Sequence, residues 1–213
     1  MAERDDTRAD VEHGTRHGLE AGIARLRHRV PDAAHGDDAL RVTVLASMGQ
    51  LNLRGRPDDA EFARAIESVL QQALPLEPNT VSTGHHRLFW LGPDEWMVIA
   101  ERSQLADIAG RLEAAVRGLH AAVNDVSSGH VLMRLCGSQA VDVLAAGCTL
   151  DLHPKTFPPG RCAQTGLAKA AVLLYPLDSP AAFELVVRRS FADYLLRWLS
   201  RIAGPGALTV DVA

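Results

Sequence analysis

Apolar residues recur along this chain in two rhythms, one helical and one alternating, and their succession outlines the elements. Leu19, Ile23, Leu26 and Val30 stand at i, i+4, i+7 and i+11, a narrow apolar seam on a helix over about residues 16–30 that Pro31 ends. A helix docked on its own domain and a helix docked on a partner chain both fit that seam. The rest of residues 1–39 is rich in Asp, Glu, Arg and His and reads as a polar tail.

The folded domain is expected over residues 40–213. Val42–Leu45 and Leu51–Leu53 read as two short strands around Ser47-Met48-Gly49. A helix follows Pro57, capped by Asp58 with Glu61 reaching back, its apolar face Phe62, Ile66, Val69 and Ala73, and its stop at Pro75. Leu88–Leu91 and Trp96–Ile99 flank Gly92-Pro93-Asp94 as a β-hairpin. Ser103 is placed as the cap of the next helix, with Leu105, Ile108, Leu112, Val116 and Leu119 inward.

The pattern then begins again. Ala121–Val126 and His130–Leu135 read as a strand pair around Ser127-Ser128-Gly129. Ser138 caps a short helix with Val141, Leu144 and Ala145 inward, closed by Gly147. A proline-rich arch, Asp151 to Thr165, leads to a hairpin of Ala170–Tyr175 and Phe183–Val187. The last helix is capped by Ser190 with Phe191, Leu195, Trp198 and Ile202 on its apolar stripe, and Leu208–Val210 adds an edge strand.

Two offsets tie the halves together. Gly55 and Gly137, each before a helix, lie about 82 residues apart, and Trp96 and Phe183 lie about 87 apart, as do Ser103 and Ser190. Each half is therefore strand, helix, loop, hairpin, helix, with repeats over about 40–120 and 121–213. The fold class is α+β, with duplicated units forming mixed or antiparallel sheets backed by helices. In this scheme the arch holds the place that Leu74–Gly84 holds in the first half, so both halves carry a proline-stiffened link there.

Composition narrows the function. A net charge of −4 leaves no electrostatic footprint for nucleic acid. No apolar run approaches the ~20 residues of a membrane helix, and no signal-peptide core follows the charged start, so a cytoplasmic protein is expected. Cys136, Cys148 and Cys162 form no C-x-x-C pair, which argues against a disulfide framework and a thiolate metal site.

The chemistry-bearing residues assemble no catalytic constellation. There is no G-x-S-x-G elbow, no G-x-G-x-x-G fingerprint and no phosphate-cradling loop. His13, His17, His28 and His35 belong to the polar tail, and adjacent His85 and His86 face opposite sides of any strand, so no metal is assigned. Asp151 and His153, two apart before Pro154, are read as fixing their own loop, and Asn124-Asp125 as shaping a turn. Cys162 is read as a small buried thiol rather than one activated by Arg161. Trp90 and Trp96 are core or interface aromatics. The residues describe a binding or scaffolding chain.

A family resemblance sharpens this. Gln50-Leu51-Asn52-Leu53-Arg54-Gly55, Leu74-Pro75, Pro78-Asn79-Thr80 and Trp90-Leu91-Gly92-Pro93-Asp94-Glu95-Trp96 resemble the gamma subunit of heterotetrameric sarcosine oxidase. So do Asp151-Leu152-His153-Pro154, Phe157-Pro158-Pro159-Gly160-Arg161-Cys162-Ala163-Gln164-Thr165 and Arg188-Arg189-Ser190-Phe191-Ala192-Asp193-Tyr194-Leu195, the likeness running over about residues 40–203. The resemblance implies a fold similar to the folate-binding domain of aminomethyltransferases. It implies an assembly with alpha, beta and delta chains carrying FAD, FMN, NAD, tetrahydrofolate and zinc on those other chains. Such an assembly oxidises sarcosine to glycine and hydrogen peroxide and passes the one-carbon unit to tetrahydrofolate. No catalytic, cofactor-binding or metal residue is carried onto this chain.

Two departures from relatives count. Stand-alone aminomethyltransferases are longer and add a C-terminal barrel, which is not expected here, and Gly160-Arg161-Cys162-Ala163-Gln164 lacks the Tyr and second Gly of the K-G-C-Y-x-G-Q motif of iron–sulfur-maintenance relatives. Alternatives that stay open are a stand-alone folate-binding transferase and the homologous subunit for another N-methyl amino acid, such as N-methylglutamate. Within the arch, Phe157, Pro158, Pro159 and Arg161 are the expected partner-contact residues, against a simple bracing role.

Overall fold

A computed structural model describes residues 39–179 and 181–213. The tail and its expected helix lie outside the described residues. The described chain runs β1 (Leu40–Val44), β2 (Met48–Arg54), α1 (Ala60–Leu70), β3 (Val81–Thr83), β4 (Arg87–Gly92), β5 (Glu95–Glu101) and α2 (Arg102–Ala115). It continues with β6 (Ala122–Asp125), a 3₁₀ turn at Ser127–Gly129, β7 (His130–Cys136) and α3 (Ala140–Ala145). Next come β8 (Ala163–Leu167), β9 (Ala170–Pro176), β10 (Ala182–Arg188), α4 (Arg189–Ala203) and β11 (Leu208–Val212).

Two sheets result, ordered β11-β1-β7-β10-β9-β8 and β3-β4-β5-β2-β6. All their neighbours are antiparallel except β11, which lies parallel to β1. Three apolar layers hold them together. Phe62, Ile66 and Leu70 of α1 and Leu105, Ile108 and Leu112 of α2 cover the outer face of the smaller sheet. Val143 and Leu144 of α3 and Ala192, Leu195, Leu196 and Leu199 of α4 cover the outer face of the larger. The inner faces meet through Phe89, Met97 and Ile99 on one side and Leu132, Leu173, Tyr175 and Val186 on the other. This four-layer α/β/β/α sandwich buries its central strands on both faces, so Trp96–Ala100 reads as an unbroken apolar run rather than an alternating one.

The duplication is visible in the register. Asn52 faces Met97 across β2 and β5; shifted by the two sequence offsets, the pair becomes Arg134 facing Glu184 across β7 and β10. Phe89 facing Met97 corresponds to Tyr175 facing Glu184, with the offset on the first strand of this pair one residue shorter, at 86.

Several sequence expectations are corrected. The strands around Ser47-Met48-Gly49 do not pair with each other, nor do those around Ser127-Ser128-Gly129. β1 joins β7 in the larger sheet while β2 pairs β5 and β6 in the smaller, so each sheet takes one strand from the other repeat. A short link between two short strands looks the same locally whether the chain folds back or crosses between layers.

Asp59, not Asp58, caps α1, accepting from Glu61 N at 2.9 Å, while Asp58 pairs with Arg56. That helix stops at Leu70, before Pro75, because Gln71 turns left-handed at φ 54° with its N–H on Glu67 O, and Ala73 is exposed beyond the end. Ser103, Ser138 and Ser190 cap nothing. Strands β5 and β10 run straight into α2 and α4, and the Arg102 N–H is satisfied by Ser47 O at 2.7 Å instead. In α3 the inward residues are Ala140, Val143 and Leu144, with Ala145 exposed. In α4 the buried stripe is Ala192, Leu195, Leu196 and Leu199, leaving Phe191 and Ile202 40% and 42% exposed.

Candidate functional site

The two proline-stiffened links meet. Thr80 and Arg161 form an antiparallel bridge, Cys162 N donates to Asn79 O at 2.9 Å, and Val81 N donates to Gly160 O at 3.0 Å. Arg161 Nη1 reaches Glu77 Oε1 at 2.6 Å, and Gln164 Nε2 reaches Leu91 O at 2.7 Å. The arch thus sews the second repeat onto the first at the edges of both sheets.

Within the arch the sequence-selected residues divide. Phe157 is buried in the core under α3 and α4, Pro158 is half-buried, and Pro159 is exposed. Arg161 holds Glu77 at a partly exposed surface. Asp151 accepts from His153 N at 3.0 Å and from Thr156 Oγ1 at 2.9 Å, which fixes the loop and holds its carboxyl below the ordinary range. Cys162 is buried, donates to Thr80 O, and desolvation pushes its thiol up to about 12 even with Arg161 adjacent. It is a structural thiol, as read from the sequence.

Sequence reasoning missed a polar cluster between the sheets. Glu184 is fully buried and accepts from Arg87 of the opposite sheet, from Tyr175, and from Arg134 Nε and Nη2 at 2.8 and 2.6 Å. Burial raises the Tyr175 phenol, keeping it a donor. The available signal was a lone carboxylate inside the apolar run Phe183–Val187.

The repeat explains what stands opposite. The positions equivalent to Tyr175, Glu184, Arg134 and Arg87 are Phe89, Met97, Asn52 and Leu173. Where Arg87 fills one side of the inter-sheet layer, the shorter Leu173 leaves the other open. A cavity of about 610 Å³ lies there, lined by Asn52, Glu95, Met97, His130, Gln164 and Leu173. Asn52 Nδ2 donates to Glu95 Oε1 at 2.7 Å at its rim. Among the described residues no three His, Cys, Asp or Glu side chains are grouped to hold a metal ion.

The duplicated α/β/β/α sandwich with exchanged strands is a fold this chain shares with an aminomethyltransferase. The glycine cleavage system aminomethyltransferase T of Bartonella henselae has this fold, with a TM-score of 0.57 at 16% identity over 82% of this chain and 48% of that one.

The particular family is narrower. The model of the sarcosine oxidase, gamma subunit family matches residues 54–204. The sarcosine oxidase subunit gamma of Corynebacterium sp. (strain P-1) is 31% identical over 176 residues, covering 81% of this chain and 85% of that one. A chain of the heterotetrameric sarcosine oxidase from Corynebacterium sp. U-96, solved in complex with pyrrole 2-carboxylate, superposes with a TM-score of 0.76 at 26% identity, over 90% of this chain and 95% of that one. This chain belongs to the sarcosine oxidase gamma subunit family.

Proposed function

We propose that this chain is the non-catalytic gamma subunit of a heterotetrameric sarcosine oxidase, assembling with alpha, beta and delta chains in the cytoplasm and supporting the chains that do the chemistry. In this reading FAD, FMN, NAD, tetrahydrofolate and zinc are carried by the other chains. The observation that carries it is the match along nearly the whole length of both chains to a subunit of such an assembly. The side-chain inventory agrees: the buried carboxylate between the sheets, Glu184, is held by Arg87 and Arg134 and so braces the fold.

The arch is the proposed contact surface. Pro158 and Pro159 form its outward edge, Phe157 anchors it in the core, and Arg161 ties it to Glu77, so a partner chain would meet a surface already rigid before assembly.

Co-expression with candidate alpha, beta and delta chains tests the assignment. Stable co-purification, with no sarcosine turnover and no flavin on the isolated gamma chain, is the expected result. A chain that stays unbound in every combination and binds tetrahydrofolate tightly alone would replace it with a stand-alone transferase.

A further inference from the structure

The first repeat fills a space that the second leaves open. Trp96 is wholly buried, packs on Phe62 of α1 with ring centroids 6.0 Å apart, and donates from Nε1 to Pro75 O at 2.8 Å. At the two offsets these positions become Phe183 and Leu144, both smaller, and α3 has six residues where α1 has eleven. Beside Phe183 lies a groove of about 570 Å³ between α3, the arch and the β9–β10 turn. Leu150, Phe157 and Leu177 share its apolar lining, and the exposed Asp151 and Asp178 line it too. Among the described residues no Lys or Arg lines it.

The chain enters the fold beside this groove. Ala39 O accepts from Gln139 N at 2.8 Å, directly before α3. Arg41 of β1 and Ala182 of β10 both stand opposite Cys136 of β7, so the groove residue Ala182 is two strand spacings, about 10 Å, from the point of entry. Residues 1–38 lie outside the described residues, and a link of the length of 31–38 spans up to about 26 Å. Within that stretch the apolar seam Leu19, Ile23, Leu26 and Val30 belongs to residues 16–30, which carry four arginines and one acid, Glu20. The rest of 1–38 carries eight acids and two arginines. An apolar seam flanked by arginines complements an apolar groove flanked by carboxylates. The exposed face of α4 suits it less, because that helix carries Arg189, Arg197 and Arg201 against the one acid Asp193.

We propose that residues 16–30 dock as a helix in this groove, with the seam on Leu150, Phe157 and Leu177 and the arginines toward Asp151 and Asp178. A tethered segment needs little affinity of its own, since the short link holds it near the groove at high effective concentration. The inference rests on this chain alone and not on the assembly reading.

The test is limited trypsin digestion of the full-length chain at several protein concentrations, with cleavage after Arg25 and Arg27 followed against cleavage after Arg8 by mass spectrometry. Arg25 and Arg27 are expected to be cut about tenfold more slowly than Arg8, at every protein concentration. Leu177→Asp should remove that protection, and Asp178→Arg, at an exposed position, should weaken it about threefold. Should Leu177→Asp disturb the hairpin, Asp178→Arg still decides. Ile202→Asp, on the exposed face of α4, should leave the protection unchanged. Equal cutting at all three arginines, protection that survives Asp178→Arg, or protection lost with Ile202→Asp would overturn the proposal. So would protection that fades on dilution, which marks a second copy, or protection that arises only with partner chains.

Discussion

Arg87 on β4 donates to Glu184 on β10, so a charge in one sheet is answered by a charge in the other. Glu184 is wholly buried while Arg87 keeps a minor part of its side chain exposed, and Arg134 and Tyr175 complete the shell. Removing Arg87 leaves the carboxylate short of one donor in a site that water does not reach. Arg87→Met is expected to cost about 2–3 kcal/mol, measured by urea unfolding, and a double replacement with Glu184→Leu should recover part of it. Strictly additive losses would show that the two residues are not coupled.

Alkaline pH provides a second test. The folded Cys162 thiol titrates well above its unfolded value of 9.0 because burial disfavours the thiolate. Its contribution is therefore fully present below pH 9 and lost as pH rises toward about 12. Unfolding free energy should fall over that window and Cys162→Ala should flatten the slope. At pH 8 a thiol reagent should leave Cys162 unmodified until the chain is unfolded.

The buried face of α4 is open to direct measurement. Leu195→Ala removes a fully buried side chain and should cost about 2–5 kcal/mol. Phe191→Ser, at a largely exposed position whose main ring contact is an edge-on one to Tyr194, should cost less than about 1 kcal/mol. The reverse ranking would restore the stripe expected from periodicity.

Gly147 tests how closely α4 approaches the chain after α3. A Cβ there would stand 2.5 Å from the Trp198 ring. Gly147→Ala is expected to cost about 1–3 kcal/mol, and Trp198→Leu in the same chain should relieve most of that loss. A neutral Gly147→Ala would mean that the indole moves aside.

The arch separates folding from assembly. Arg161→Ala breaks a partly exposed pair with Glu77 and should change stability by no more than about 1 kcal/mol. Pro159→Asp, at an exposed position, should also fold normally. If the arch is a contact surface, both variants should co-purify with partner chains less than the parent does. Unchanged assembly would leave the arch with bracing alone.

What the sequence by itself determined is what depends on near neighbours. The four helices, the two long hairpins, the duplicated order and its offsets follow from periodicity and turn chemistry, and the offsets survive as strand register at Asn52–Met97 and Arg134–Glu184. The family likeness was legible for the same reason, being carried by contiguous motifs.

Tertiary structure decided what depends on residues far apart in the chain. β1 and β6 join the sheet of the other repeat, which periodicity could not show because each crossing is a short link that looks like a hairpin turn in the sequence. Ser103 loses the capping role because a distant carbonyl, Ser47 O, meets the first N–H of α2. Phe191 and Ile202 yield the interior to Ala192, Leu196 and Leu199 because both stripes share Leu195, and only the approach of the sheet chooses between them. Glu184 could be seen in the sequence as an anomaly, but its partner Arg87 lies 97 positions away, and only the meeting of the two sheets makes them a pair.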